Sequence, residues 1–165
     1  APTPAAPAAP SSPSATAPMP GLRDAKALIS DAKVIAGYAT YQQEMAPHSK
    51  MAMQVFGSGS RSKDDPRIVE RGKLNDAALA KAGLSQSDFS TLSQALGTFV
   101  TKLNLAREAA TKPESIGSAE YQKSYEEARK EFVQQFGQAG LDNVLNYEKE
   151  LCAAQDAMMK AALGK

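Results

Sequence analysis

The residues best equipped for chemistry fall in one short stretch, EMAPHSKMAMQVF (44–56). Met45, His48, Met51 and Met53 lie within it, and His48 is the only histidine of the chain. Thioethers and an imidazole are soft ligands that suit Cu(I), and three or four of them held together make a site. Methionine also fills irregular gaps beside a helix break, and Pro47 makes such a break here. Two readings therefore stand for these four residues: a soft-metal site holding copper, or packing with no cofactor. A second sulfur-bearing spot lies near the C-terminus. Cys152 and Met159 are seven positions apart, hence on one helical face, with Met158 alongside. Spacing alone does not tell whether the two spots meet.

Other chemistries lack their parts. Nucleophilic catalysis needs a base beside the nucleophile and a third group to orient it, whereas the lone His48 and the lone Cys152 are about a hundred positions apart. A di-iron bundle needs Glu-x-x-His twice, and covalent haem attachment needs C-x-x-C-H; neither occurs. The glycines of GSGS (57–60) follow a methionine-rich piece rather than a strand and lack the lysine of a phosphate loop. The expectation is a protein that is not an enzyme.

Charge narrows the partners. Nineteen Lys and Arg against eighteen Asp and Glu leave a net charge of +1, which excludes strong electrostatic binding to nucleic acid or an anionic membrane. The basic residues Arg61, Lys63, Arg67, Arg71, Lys73 and Lys81 are interleaved with Asp64, Asp65, Glu70 and Asp76, so the local field largely cancels. No apolar run is long enough for a transmembrane segment. Tyrosine is the remaining interaction signal. Tyr38, Tyr41 and Tyr147 lie at or off the edge of the apolar stripes, where a ring either anchors a protein partner or sits at the core boundary with its hydroxyl in water.

The elements that must position these residues are helical. Seven of the ten prolines fall in residues 1–20, APTPAAPAAPSSPSATAPMP, which carry no charge and nothing large to bury. This stretch reads as a disordered, extended Pro/Ala-rich tether reaching on the order of 60 Å in polyproline geometry. Residues 21–165 read as one domain. Its alanines nearly equal its Leu, Ile, Val and Phe together, a mixture suited to closely packed helices and not to a thick sheet core. With one cysteine there is no internal disulfide, so packing alone must hold the fold.

Apolar spacing and punctuation predict an all-α, up-and-down bundle of four to five helices. The first runs from Leu22 to Met45 and stops before Pro47, and the short apolar piece Met51 to Phe56 precedes a flexible loop at 57–65. The second opens with Asp65 as cap and Pro66 at the first position, buries Ile68, Val69, Leu74, Ala78 and Leu79, and ends at Gly83. Ser85 caps the third, which is charged only at Asp88 and Lys102 as far as Ala106 and is expected to be the most buried. Ser118 caps the fourth, with Tyr121, Tyr125, Ala128, Phe132 and Phe136 inward, and a fifth spans Leu141 to Leu163.

A charge-free linker on a compact bundle is the plan of a secreted, periplasmic or envelope-tethered module. The initial Ala adds the expectation of a removed leader or a lipid anchor upstream of residue 1. The leading function is a non-enzymatic interaction or scaffold module that presents a helical surface to a protein partner. The alternative is a periplasmic Cu(I)-binding protein using Met45, His48, Met51 and Met53.

Overall fold

A computed structural model describes residues 23–59 and 63–164. Eight α-helices and no strand occur among them: α1 (Ala25–Ser30), α2 (Ala32–Met45), α3 (Ser49–Gly57), α4 (Pro66–Ala82), α5 (Gln86–Thr111), α6 (Ser118–Phe136), α7 (Gln138–Asn146) and α8 (Glu148–Leu163). A single 3-10 turn, Ala46–His48, joins α2 to α3. The expected all-α bundle is present. The tether at 1–20 lies outside the described residues, as does the middle of the 57–65 loop. Among the described residues no helix is long and apolar enough to cross a membrane.

Most helix boundaries follow from local chemistry. The Asp65 carboxylate accepts from the Arg67 amide at 2.9 Å, Pro66 occupies the first turn where no amide donor is needed, and Gly83 closes α4 at φ 66°. Ser85 Oγ accepts from the Asp88 amide at 3.0 Å to open α5. Two expected helices are each broken in two. The first divides at Asp31, whose extended backbone both terminates α1 and turns its carboxylate onto the Lys33 amide at 3.0 Å to cap α2. An aspartate that prefers capping to a helix interior is the cause. The last divides at Tyr147, which leaves helical geometry between α7 and α8 with neither Gly nor Pro present. The apolar piece after Pro47 forms a helix of its own, α3.

Two further corrections concern α6 and α4. Gly117, at φ 87°, stands at the N-cap of α6; Ser118 is the first helical residue, and its hydroxyl donates to the Lys112 carbonyl at 2.9 Å. Tyr121, expected inward, is exposed at the open end of α6, and Val69 is exposed on α4.

The core runs along α5, which buries Leu92, Leu96, Phe99, Val100, Leu103, Ala106 and Ala109. However, α5 is not the most enclosed helix as expected: its uncharged far side is exposed, whereas α2 leaves only Ala32, Lys33 and Gln43 exposed. Helix α5 packs along α6, where Phe99, Phe132 and Phe136 form a chain of tilted rings with centroids 4.5 and 4.7 Å apart. Such ring pairs add about 0.5–1.5 kcal/mol each beyond the area they bury. On the other side α2 packs on α4, and α8 lies across α2, α3 and α5. Polar bonds fix the long-range joints. Asn143 donates to the Ile29 carbonyl at 2.9 Å, satisfying an oxygen in the last turn of α1, and Asn104 donates to Asp156 at 2.7 Å, tying α5 to α8.

Small residues set how closely the helices approach. A Cβ on Gly37 of α2 would strike the Ala82 carbonyl oxygen, and one on Gly140 of α7 would stand 2.9 Å from Ile29 Cγ2. Gly97, on the exposed side of α5, has open space around it. Gly37→Ala is expected to lower stability by about 1–3 kcal/mol through overpacking against backbone. Gly97→Ala is expected to raise it by about 0.5–1 kcal/mol through helix propensity. Urea unfolding of the two variants beside the parent checks the opposite signs.

Candidate functional site

The end of α2 begins a concave surface. Pro47 forbids continuation of the helix, so the chain makes its 3-10 turn and re-enters a helix at Ser49, swinging Met45, His48 and Met53 around a corner. The last turns of α8 lie against this corner and bring Met158, Met159 and Ala162 to it. A groove of about 480 Å³ results. Its remaining wall is Tyr41 and Gln42 from α2, Ser49 and Ala52 from the corner, Arg71 from α4 and Phe89 from α5.

The two sulfur-bearing spots of the sequence therefore meet. Four of the five methionines among the described residues, together with the chain's one histidine, line a single groove. Met51, expected with them, does not line it; it is half-buried on α3. Cys152 does not line it either. The thiol is buried on the bundle side of α8, and that burial raises its pKa, with Arg107 working in the opposite direction. Met53 and Met159 are each 55% exposed, which sets them apart from residues buried to fill a core. The groove lining contains no Asp or Glu, and Arg71 is its one residue with a permanent charge.

Phe89 forms the inner wall. Its ring centroid is 4.1 Å from that of Tyr41 and 6.0 Å from that of Tyr38, so three aromatic rings join α5 to α2 beneath the methionines. The Tyr41 hydroxyl donates to Asn75 Oδ1 at 2.6 Å, and Asn75 in turn donates to Gln86 at 3.0 Å, which links α2, α4 and the start of α5. At the same end of α5, the largely buried Asp88 carboxylate accepts from Arg23 at 2.8 Å.

The chain matches no family model, no curated protein and no solved structure.

Of the two placements open to the tyrosines, partner anchor or core boundary, the structure shows the core for Tyr38 and Tyr41 and its boundary for Tyr147. Tyr38 and Tyr41 are 4% and 6% exposed, with their rings inside the bundle, and Tyr147 is half-buried against the core at the break between α7 and α8. Only Tyr41 borders the groove. Amphipathic spacing underestimates their burial because α5 and α8 cover the edges of the α2 stripe, a long-range contact with no local signal. For the same reason no pattern in the sequence links residues 45–53 to residues 158–162, or adds Phe89 and Arg71 to them.

Burial holds the phenols of Tyr38 and Tyr41 above their ordinary pKa; for Tyr41 the nearby Arg71 charge opposes the rise. Both groups keep their protons to higher pH in the fold than in the unfolded chain. Their contribution to stability is thus complete below the ordinary phenol range and is lost as pH rises through the raised folded values. The urea midpoint is expected to fall on the alkaline side as the phenols ionise, and Tyr41→Phe is expected to flatten that fall. A midpoint independent of alkaline pH would contradict the assignment.

Proposed function

We propose that this protein is a non-enzymatic interaction module whose methionine-lined groove receives apolar side chains of a protein partner. The carrying observation is that Met53 and Met159, from segments more than a hundred residues apart, both line one groove and both stand exposed. Unbranched, polarisable thioethers adapt to partner surfaces of irregular shape, and a concave apolar surface between helices accepts a partner's helix or a few of its side chains. The Phe89 and Tyr41 rings supply a rigid part of the lining, and the Gln42 amide offers a polar contact that orients what binds.

The charge-free, proline-rich stretch 1–20 fits a spacer that carries the module at a distance from an anchor. On this reading the module works in a secreted or envelope-tethered setting, where an uncharged spacer gives the groove reach.

Photo-crosslinking in the native host tests the reading. A photoreactive residue at position 53 and another at position 159 are expected to capture one common protein. The same residue at position 127, on the exposed charged face of α6, is expected not to capture it. Ala162→Glu, which places a charge in the groove, is expected to abolish capture from position 53. No reproducible partner, or equal capture from position 127, would remove the groove from the function.

A further inference from the structure

The groove gathers five of the seven thioether, thiol and imidazole donors among the described residues, and docking alone does not require that. We propose that it is a Cu(I) site in which His48 and the thioethers of Met45, Met53, Met158 and Met159 supply the ligands. The geometry alters the ligand set that the local sequence offers: Met51 drops out, and α8 completes it from the other end of the chain.

The lining discriminates among metals. With no carboxylate in it, the groove lacks the anionic oxygen ligands on which calcium and magnesium sites are usually built. Among the described residues no group of three or more His, Cys, Asp and Glu comes together, so the usual set for a structural zinc is missing as well. Thioether and imidazole together match a soft ion, and Cu(I) accepts the low, irregular coordination that flexible methionines provide. Arg71 borders the same space and repels any cation, an effect half as large for a monovalent ion as for a divalent one. The ligands come from α2, the 3-10 turn, α3 and α8, so a bound ion would tie the corner after Pro47 to the last turns of the chain.

Binding involves no change of oxidation state when copper is supplied as Cu(I). Neither does it depend on the protein-partner reading, because its test uses the isolated chain and no partner. The whole 165-residue protein is titrated anaerobically, under ascorbate, into the Cu(I) complex of a bicinchoninate dye. Withdrawal of one equivalent of copper is expected. His48→Ala and the double variant Met158→Leu with Met159→Leu are each expected to weaken binding by roughly tenfold or more, at least the loss that follows removal of a ligand's supporting contact. Met51→Leu is expected to bind as the parent does. Circular dichroism identifies any variant that has lost its fold. For such a variant, the ε-methyl resonances of Met158 and Met159 in the parent are read instead, and they are expected to shift on addition of Ag(I), which has the same ligand preference. No copper withdrawn from the dye, methyl resonances unmoved by Ag(I), or binding weakened as much by Met51→Leu as by the α8 pair would each overturn the site.

Discussion

The close approach of α2 to the end of α4 at Gly37 is the constraint from which much of the architecture follows. With no side chain at that position, the α2 backbone lies directly beneath the Ala82 carbonyl. The spacing brings Tyr41 within hydrogen-bonding reach of Asn75 and leaves Phe89 enclosed by Tyr38 and Tyr41. A wider separation would open a void that a chain so rich in alanine has little aliphatic volume to fill. Gly140 plays the equivalent part where α7 meets Ile29. In this bundle small residues at two seams let the helices close over a core of Leu, Ile and Phe side chains.

Close seams bring backbone and polar side chains together, and the polar groups are used as ties. Asn143, Asn104, Gln122 and Ser118 each bond across elements, so the interior is pinned at defined points as well as filled. These ties are strongest in effect where a helix ends, because the last carbonyls of a helix have no partner within it. Such pinning explains why short helices like α1 and α7, too short to be stable alone, hold fixed positions.

Sequence and structure agree most where chemistry is local. Asp65 with Pro66, Gly83, Ser85 and Pro47 each act on the backbone within a few residues, and each stands where its local chemistry places it. The near absence of charge between Leu84 and Ala106 is a poorer guide: Gln86, Ser90, Gln94, Thr98 and Thr101 face water without being charged, and α2 is the more enclosed helix. Legibility fails where one residue has two local roles or where a distant element decides. Asp31 can stand on a helix surface or cap the next helix, and the apolar stripe on either side is the same in both cases. Tyr147 interrupts a helix without any breaker type. Tyr38 and Tyr41 look like edge residues until α5 covers them. The groove belongs to the last kind. Each of its methionines was conspicuous, but only the docking of α8 makes them one surface.

Because the groove is assembled from residues 41–53, Arg71, Phe89 and residues 158–162, any ligand of the proposed site would be a witness to the completed fold. An unfolded chain separates these parts, so whatever needs them together binds the native state alone and raises its stability by mass action. At a free concentration a hundred times its dissociation constant, that gain is about 2.7 kcal/mol. The last turns of α8, which carry Met158, Met159 and Ala162, would be held against the corner after Pro47 by the same occupancy. Occupancy of the groove is thereby linked to the lifetime of the C-terminal helix in its docked position.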